Sequence, residues 1–162
     1  MENTPPPRFA CDAMLGGLTR WLRAAGYDAS WHEGIADPAL VRLAHAEGRT
    51  VLSSDGDVFE FALVRDGVVP ALFVPRGQPV QAQLAHVLRG LGLPLLAPRC
   101  MACGGELADL AKETAGGRVP PGSLARHDRF WECVRCGQVF WHGTHWERIV
   151  ERLRQAAAYD SK

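Results

Sequence analysis

Between residues 8 and 94, short apolar runs alternate with stretches whose apolar positions recur every three or four residues. That alternation predicts a parallel sheet whose strands are joined by helices. Arg8–Cys11 reads as the first strand. Leu15, Leu18, Leu22 and Ala25 then recur at helical spacing, and Gly26 ends that helix. Asp28–His32 reads as a second strand. Asp37-Pro38 opens a second helix, with Asp37 as N-cap and Pro38 at the first helical position. Leu40, Leu43 and Ala44 supply its apolar face, and Gly48 stops it. Thr50–Ser53 is a third strand, and Asp57 with Glu60 forms a capping box for a third helix. Val68–Val74 contains a fourth strand, and Pro70 within it indicates an edge position. Val80, Leu84, Val87 and Leu91 mark a fourth helix, closed by Gly92.

The pattern breaks at Pro94–Pro98. Two organisational units follow: an α/β domain over residues 8–98, and a small zinc ribbon with a C-terminal helix over 99–162. The ribbon rests on four cysteines in two Cys-x-x-Cys pairs, Cys100/Cys103 and Cys133/Cys136. Each such turn supplies two thiolates on one side of a metal, and two turns complete the tetrahedron that Zn²⁺ prefers. With four protein ligands no position stays open, so this zinc would be structural. The 29 residues between the pairs include a Gly/Pro loop at Gly116–Gly122. Two disulfides or redox-active pairs are the alternative, disfavoured in a chain without an export signal. Cys11, in the run Phe9-Ala10-Cys11, reads as a small core residue. Thr144 and Glu147 form a second capping box, opening a terminal helix with Trp146, Val150, Leu153 and Ala157 on one face.

Composition narrows the function classes. The 162 residues carry 18 basic and 18 acidic side chains, and 47% are hydrophobic. Such a chain has material for a core and is not disordered. Zero net charge argues against holding nucleic acid by bulk electrostatics, but not against a local or metal-mediated contact. Residues 1–98 carry 8 basic and 10 acidic side chains, and residues 99–162 carry 10 and 8. No segment is apolar enough to span a membrane, and residues 1–8 read as a disordered lead without a signal-peptide core, so the expected location is cytoplasmic.

The acidic residues sort by sheet edge. In a parallel sheet every strand-to-helix turn falls at the carboxyl ends of the strands. Asp12, Asp37, Asp55 and Asp57 fall in or beside such turns, whereas Asp28 and Asp66 fall at the opposite edge. Carboxylates gathered at one crevice repel one another, and a hard divalent cation such as Mg²⁺ or Mn²⁺ removes that cost. Such an ion can activate water and stabilise the leaving oxygen in phosphodiester cleavage. For that chemistry the four carboxyl groups should converge within the reach of one or two ions. Taken singly, Asp37 and Asp57 are equally explained as helix caps. Arg20 and Arg23, on helix one, read as a solvated face with the option of contacting phosphates. Phe130, Trp131, Phe140, Trp141 and Trp146 read as the core that joins ribbon, terminal helix and first domain, although such rings can also stack on unpaired bases. His142 and His145 read as surface or packing residues.

Several segments resemble a known family. Phe9-Ala-Cys-Asp12 and the following residues to Asp28, Glu47-Gly-Arg-Thr-Val-Leu-Ser-Ser-Asp55, Arg99-Cys-Met-Ala-Cys103, and Phe130 to Arg148 are similar to successive blocks of the Mut-seven C-terminal RNase domain family. That family belongs to the PIN-like nucleases and ends in a zinc ribbon. The resemblance spans residues 8 to 154. It implies a PIN-like sheet between helices and a ribonuclease using Mg²⁺ or Mn²⁺. It also implies that Asp12, Asp37 and Asp55 are the site acids, and that Asp57 is a fourth. One departure is visible: the family commonly has a basic residue before the third-strand acid, where this chain has Ser54. The competing reading is a non-catalytic RNA- or protein-binding module built on the ribbon.

Overall fold

A computed structural model describes residues 3–158. The first two residues of the expected disordered lead lie outside that range, as do residues 159–162; residues 3–8 form no helix or strand. Four short strands, β1 (Phe9–Cys11), β2 (Ala29–Trp31), β3 (Thr50–Ser53) and β4 (Ala71–Phe73), form an all-parallel sheet in the order β2-β1-β3-β4. Val51 donates to the carbonyl of Pro70, so the proline stands just before β4, which is an edge strand as its ring requires. Helices α1 (Gly16–Ala24), α2 (Asp37–Glu47), α3 (Ala62–Arg65) and α4 (Val80–Gly90) connect and cover the strands.

The two faces of the sheet are sealed separately. Phe9, Cys11 and Leu52 point to one side, against Leu15, Leu18 and Leu22 of α1 and Leu84, Val87 and Leu88 of α4. Ala10 and Val51 point to the other, against Leu40, Val41 and Ala44 of α2 and Val58. Strand residues of alternate parity thus serve two cores, which is why the strands are apolar throughout. Cys11 is buried in the first core, and burial pushes its thiol up to about 12. Gly26 follows α1 at φ +100°, and a Cβ there would lie 2.5 Å from that of Leu96, so the sharp turn into β2 needs glycine.

Arg49 ties the amino ends of the strands together. Its guanidinium pairs with Asp28 at 3.0 Å and with Glu47, and donates to the carbonyl of Phe9 at 3.2 Å. Burial works against the Asp28 carboxylate, but the hydrogen bonds and charge of Arg49 outweigh it and hold the group below its usual value. A carboxyl depressed in the folded state stabilises the protein above its unfolded value of 3.8, and that contribution is lost as pH falls through the folded value. Arg49→Met is therefore expected to lower stability at pH 7 by about 2 kcal/mol, with the deficit shrinking below pH 3.8. Urea denaturation of both proteins at neutral and acid pH checks this.

The C-terminal third forms a second, antiparallel sheet of β5 (Leu107–Leu110), β6 (Phe130–Cys133) and β7 (Val139–Phe140). The segment between β5 and β6 holds short helices α5 (Lys112–Ala115) and α6 (Pro121–Arg126), so the expected loop at Gly116–Gly122 runs only as far as the start of α6. Phe130 packs with Ala115 and Val119 into a small cluster of its own, to which Trp141 is added. Helix α7 (Thr144–Ala158) packs on α1 and α4. Its buried face is Ile149, Leu153 and Ala156, with Trp146 alongside. Expectation and structure share Trp146 and Leu153, but Val150 is only half-buried and Ala157 is exposed. The face is turned by about one residue, because Ile149 is the larger hydrophobe able to reach the α1/α4 groove. Among the described residues no helix is long and apolar enough to cross a membrane.

Candidate functional site

Asp12 ends β1 and is 4% exposed. Its Oδ1 accepts from the backbone N–H of Met14 at 2.8 Å, capping the short 3-10 turn Ala13–Leu15. Its Oδ2 accepts from the Ser53 hydroxyl at 2.7 Å and from the Ser54 N–H at 2.8 Å. Trp31 fixes the same turn by donating its ring N–H to the Ala13 carbonyl at 3.1 Å. The carboxylate is thus held by donors that follow β1 and end β3, and β2 steadies the turn that carries one of them.

Asp55 follows β3. Its N–H donates to the Ser53 hydroxyl oxygen at 3.0 Å, and its Oδ1 accepts from the Asp57 N–H at 2.9 Å. This corrects the capping box read at Asp57 and Glu60. Asp55 is the cap, and what it caps is the 3-10 turn Gly56–Glu60 rather than an α-helix. The N-cap of α2 needs a similar correction. It is Ala36, without a side-chain cap, while Asp37 stands in the first helical turn ahead of Pro38. Freed from capping, the Asp37 carboxyl faces its acidic neighbours. Partial burial raises it above its usual range, and the charges of Asp55, Asp12 and Asp57 add to that. An aspartate raised in this way costs stability when ionised, and a bound cation would relieve the cost.

The carboxylates share one edge without forming a closed cage. Among the described residues, the one group of three or more His, Cys, Asp or Glu ligand atoms all within 4.8 Å of one another is the four cysteines. What links the four aspartates is a side-chain hydrogen bond between Asp37 and Asp55 and the charges of Asp55, Asp12 and Asp57 acting on Asp37, not one cluster of all four. Such an open set suits Mg²⁺, which keeps several waters and takes one or two carboxylates together with substrate phosphates. The cation that residues 52–55 lack comes to this edge from another segment. Arg76, in the loop after β4, donates to the Ser54 carbonyl at 2.9 Å. Its signal in the sequence was only its place after a strand.

The second constellation is the cysteine cluster. Cys100, Cys103, Cys133 and Cys136 are free thiols that meet across the two loops, with Sγ–Sγ distances of 3.7 Å (Cys100–Cys136) and 3.4 Å (Cys103–Cys133). Tetrahedral Zn–S bonds of about 2.3 Å place sulfurs ~3.8 Å apart, so the donor set fits zinc. Gly105 N–H points at Cys103 Sγ, and Arg135 and Cys136 N–H at Cys133 Sγ, all at 3.4–3.5 Å. A Cβ on Gly105 would lie 2.6 Å from Cys133 Sγ, so the cradle closes only around glycine. Burial pushes the Cys100 thiol up to about 12. Burial also opposes ionisation of Cys133, but the backbone N–H groups of Cys136 and Arg135 outweigh it and bring that thiol down to about 6.

Three arginines surround the first loop. Arg23 donates to the carbonyls of Met101 and Ala102, both at 3.1 Å, Arg135 to that of Cys103 at 2.9 Å, and Arg99 to that of Gly104 at 2.8 Å. Four consecutive loop carbonyls therefore point at guanidinium groups. They place positive charge beside a set of thiolates that stays net negative with zinc bound. Arg23 is buried, not the solvated residue expected on helix one; Arg20 is exposed as expected. Helical periodicity put Arg23 on a polar face, and the ribbon that covers that face comes from 78 residues further on.

A family model for the Mut7-C RNAse domain matches residues 7–153. The chain belongs to the Mut7-C RNAse domain family. That match covers both sheets and the cysteine cluster, and it supports a nuclease-like role with RNA as substrate or partner. No curated protein and no solved structure matches the chain.

Proposed function

We propose that this Mut7-C chain is a ribonuclease dependent on Mg²⁺ or Mn²⁺, acting at the carboxyl edge of the parallel sheet. The observation that carries the reading is the aiming of Asp12. A buried carboxylate is fixed in place by three donors from two strand ends, close enough for its charge to act on Asp37. Such second-layer hydrogen bonds are how metal-binding carboxylates are oriented. Asp12, Asp37 and Asp55 would hold the cation, with Asp57 at the rim. The bound ion supplies the charge stabilisation and water activation that phosphodiester hydrolysis requires. The chain's own part is to orient the carboxylates through Ser53 and the Ser54 N–H, and to place Arg76 where a phosphate approaches. The zinc of the cysteine cluster is structural in this account, and the protein acts in the cytoplasm.

Purified protein should cleave RNA only when Mg²⁺ or Mn²⁺ is present. Asp12→Asn and Asp55→Asn should each slow cleavage at least ~100-fold. Cleavage at the wild-type rate in both variants would sink the assignment.

A further inference from the structure

Away from the acidic edge, a cavity of about 690 Å³ opens between α1, the first cysteine loop, β6, β7 and the start of α7. One nucleotide fits a space of that size. Its wall contains three stacked rings. Trp131 and His142 lie 4.3 Å apart at 24°, and His142 and Trp146 lie 5.6 Å apart at 11°. The Arg129 guanidinium sits 5.1 Å from the Trp131 ring centre. Partial burial, followed by the charges of Arg129 and His127, lowers the His142 pKa, so the ring between the two indoles adds no positive charge at neutral pH.

A second hollow of about 370 Å³ continues from the first, sharing Arg20, Met101, His145 and Ile149 with it and adding Arg148 and Arg152. His145, Arg148 and Arg152 follow one another at spacings of three and four along α7, so they form one row facing Arg20 of α1. Arg20, Arg148 and Arg152 are exposed, and among the described residues none of the three is ion-paired. No Asp or Glu lines either hollow. A chain of zero net charge thus keeps a carboxylate-free surface with three unpaired guanidinium groups beside a stack of rings.

We propose that this groove binds single-stranded RNA, an unpaired base entering the apolar hollow beside the Trp131–His142–Trp146 stack while phosphates lie on Arg20, Arg148 and Arg152. Each part matches one component of the ligand. An apolar hollow walled by aromatic rings accepts any flat base, and guanidinium forks match phosphate oxygens. An acidic peptide would use the arginines and leave the stacked rings without a role. A duplex hides its base faces and would gain only the phosphate contacts. The inference rests on the reading of the chain as an RNA-acting protein. It adds a second contact site, reached from the catalytic edge along α1, whose first residue lies about 6 Å along the helix axis from Arg20.

The test uses the zinc-loaded full chain and a ten-nucleotide oligouridylate in buffer free of Mg²⁺ and Mn²⁺, followed by anisotropy and by tryptophan quenching. The wild type should bind with quenching. Arg20→Glu combined with Arg152→Glu, both at exposed positions, should weaken binding at least ~10-fold, with an unchanged melting temperature. Trp131→Leu should weaken it ~10-fold and remove part of the quenching. If the tryptophan variant fails to fold, the arginine pair still decides the matter. Any of four outcomes overturns the proposal: no binding by the wild type, equal binding of duplex RNA, full displacement by an equimolar acidic peptide, or unaltered affinity in the arginine pair. A cleavage assay on the same proteins keeps the two readings apart. Cleavage by wild type with unaltered binding in the arginine pair removes the groove and leaves the ribonuclease. Groove-dependent binding with no cleavage at any Mg²⁺ or Mn²⁺ concentration does the reverse.

Discussion

Removing zinc is expected to unfold the C-terminal sheet of this protein. Structural zinc in small modules contributes on the order of 10 kcal/mol to folding, which rivals the whole stability of an ordinary domain. The sheet β5–β7 has little else to hold it. Its own buried cluster is Ala115, Val119 and Phe130, and the thiols of Cys100, Cys103, Cys133 and Cys136 tie its turns together. Chelation, or Cys136→Ser, should therefore abolish the near-ultraviolet signal of Trp131 and Trp141. The parallel sheet should stay folded, since its two cores draw nothing from β5–β7. Metal analysis should find one zinc per chain. Loading should weaken in acid, because Cys100 is pushed up to about 12 and must give up its proton to bind metal. Gly105→Ala, which drives a Cβ to 2.6 Å from Cys133 Sγ, should mimic partial zinc loss. An unchanged spectrum and melting curve after zinc removal would refute the structural role.

The second large effect is expected at Arg23. Truncation to Ala would leave the carbonyls of Ala29, Met101 and Ala102 without their donor at a buried junction. A buried polar group stripped of its partner costs about 1–3 kcal/mol, and three share this one. Arg23→Ala should lower stability by ~3 kcal/mol or more and speed transfer of zinc to a chromophoric chelator. Arg23→Lys should recover little, because one ammonium cannot span three acceptors held by a planar fork. Urea denaturation with a zinc-release assay reads both effects. Stability and release within error of wild type would show that Arg23 does not join the two sheets.

The carboxyl-edge rule placed Asp12 and Asp55 at the carboxyl ends of β1 and β3 from sequence because it depends only on strand order and chain direction. The strands read at 8–11, 28–32, 50–53 and 68–74 all exist, each trimmed by a residue or more at its ends except the third. The two cysteine pairs were legible because their spacing is fixed by metal geometry. The caps were not legible. Asp37 and Asp57 have the right residue type, but a neighbouring residue serves as N-cap in each case, since backbone geometry decides which residue sits at the half-helical position. The roles of Arg23 and Arg76 were hidden for a different reason. Each contacts backbone carbonyls of a distant segment, and no residue-type pattern encodes a carbonyl. The tryptophans divided as well. Trp146 packs on the first core and Trp141 on the ribbon cluster, whereas Trp131 lies in the open ring stack.

The cation proposed at the acidic edge is tested most directly by titrating Mn²⁺ into the zinc-loaded protein and following free Mn²⁺ by electron paramagnetic resonance. Saturable binding of one or two ions per chain is expected, abolished by Asp55→Asn and by Asp12→Asn, with Mg²⁺ competing for the same sites. Absence of saturable binding, or binding that survives both substitutions, would contradict it.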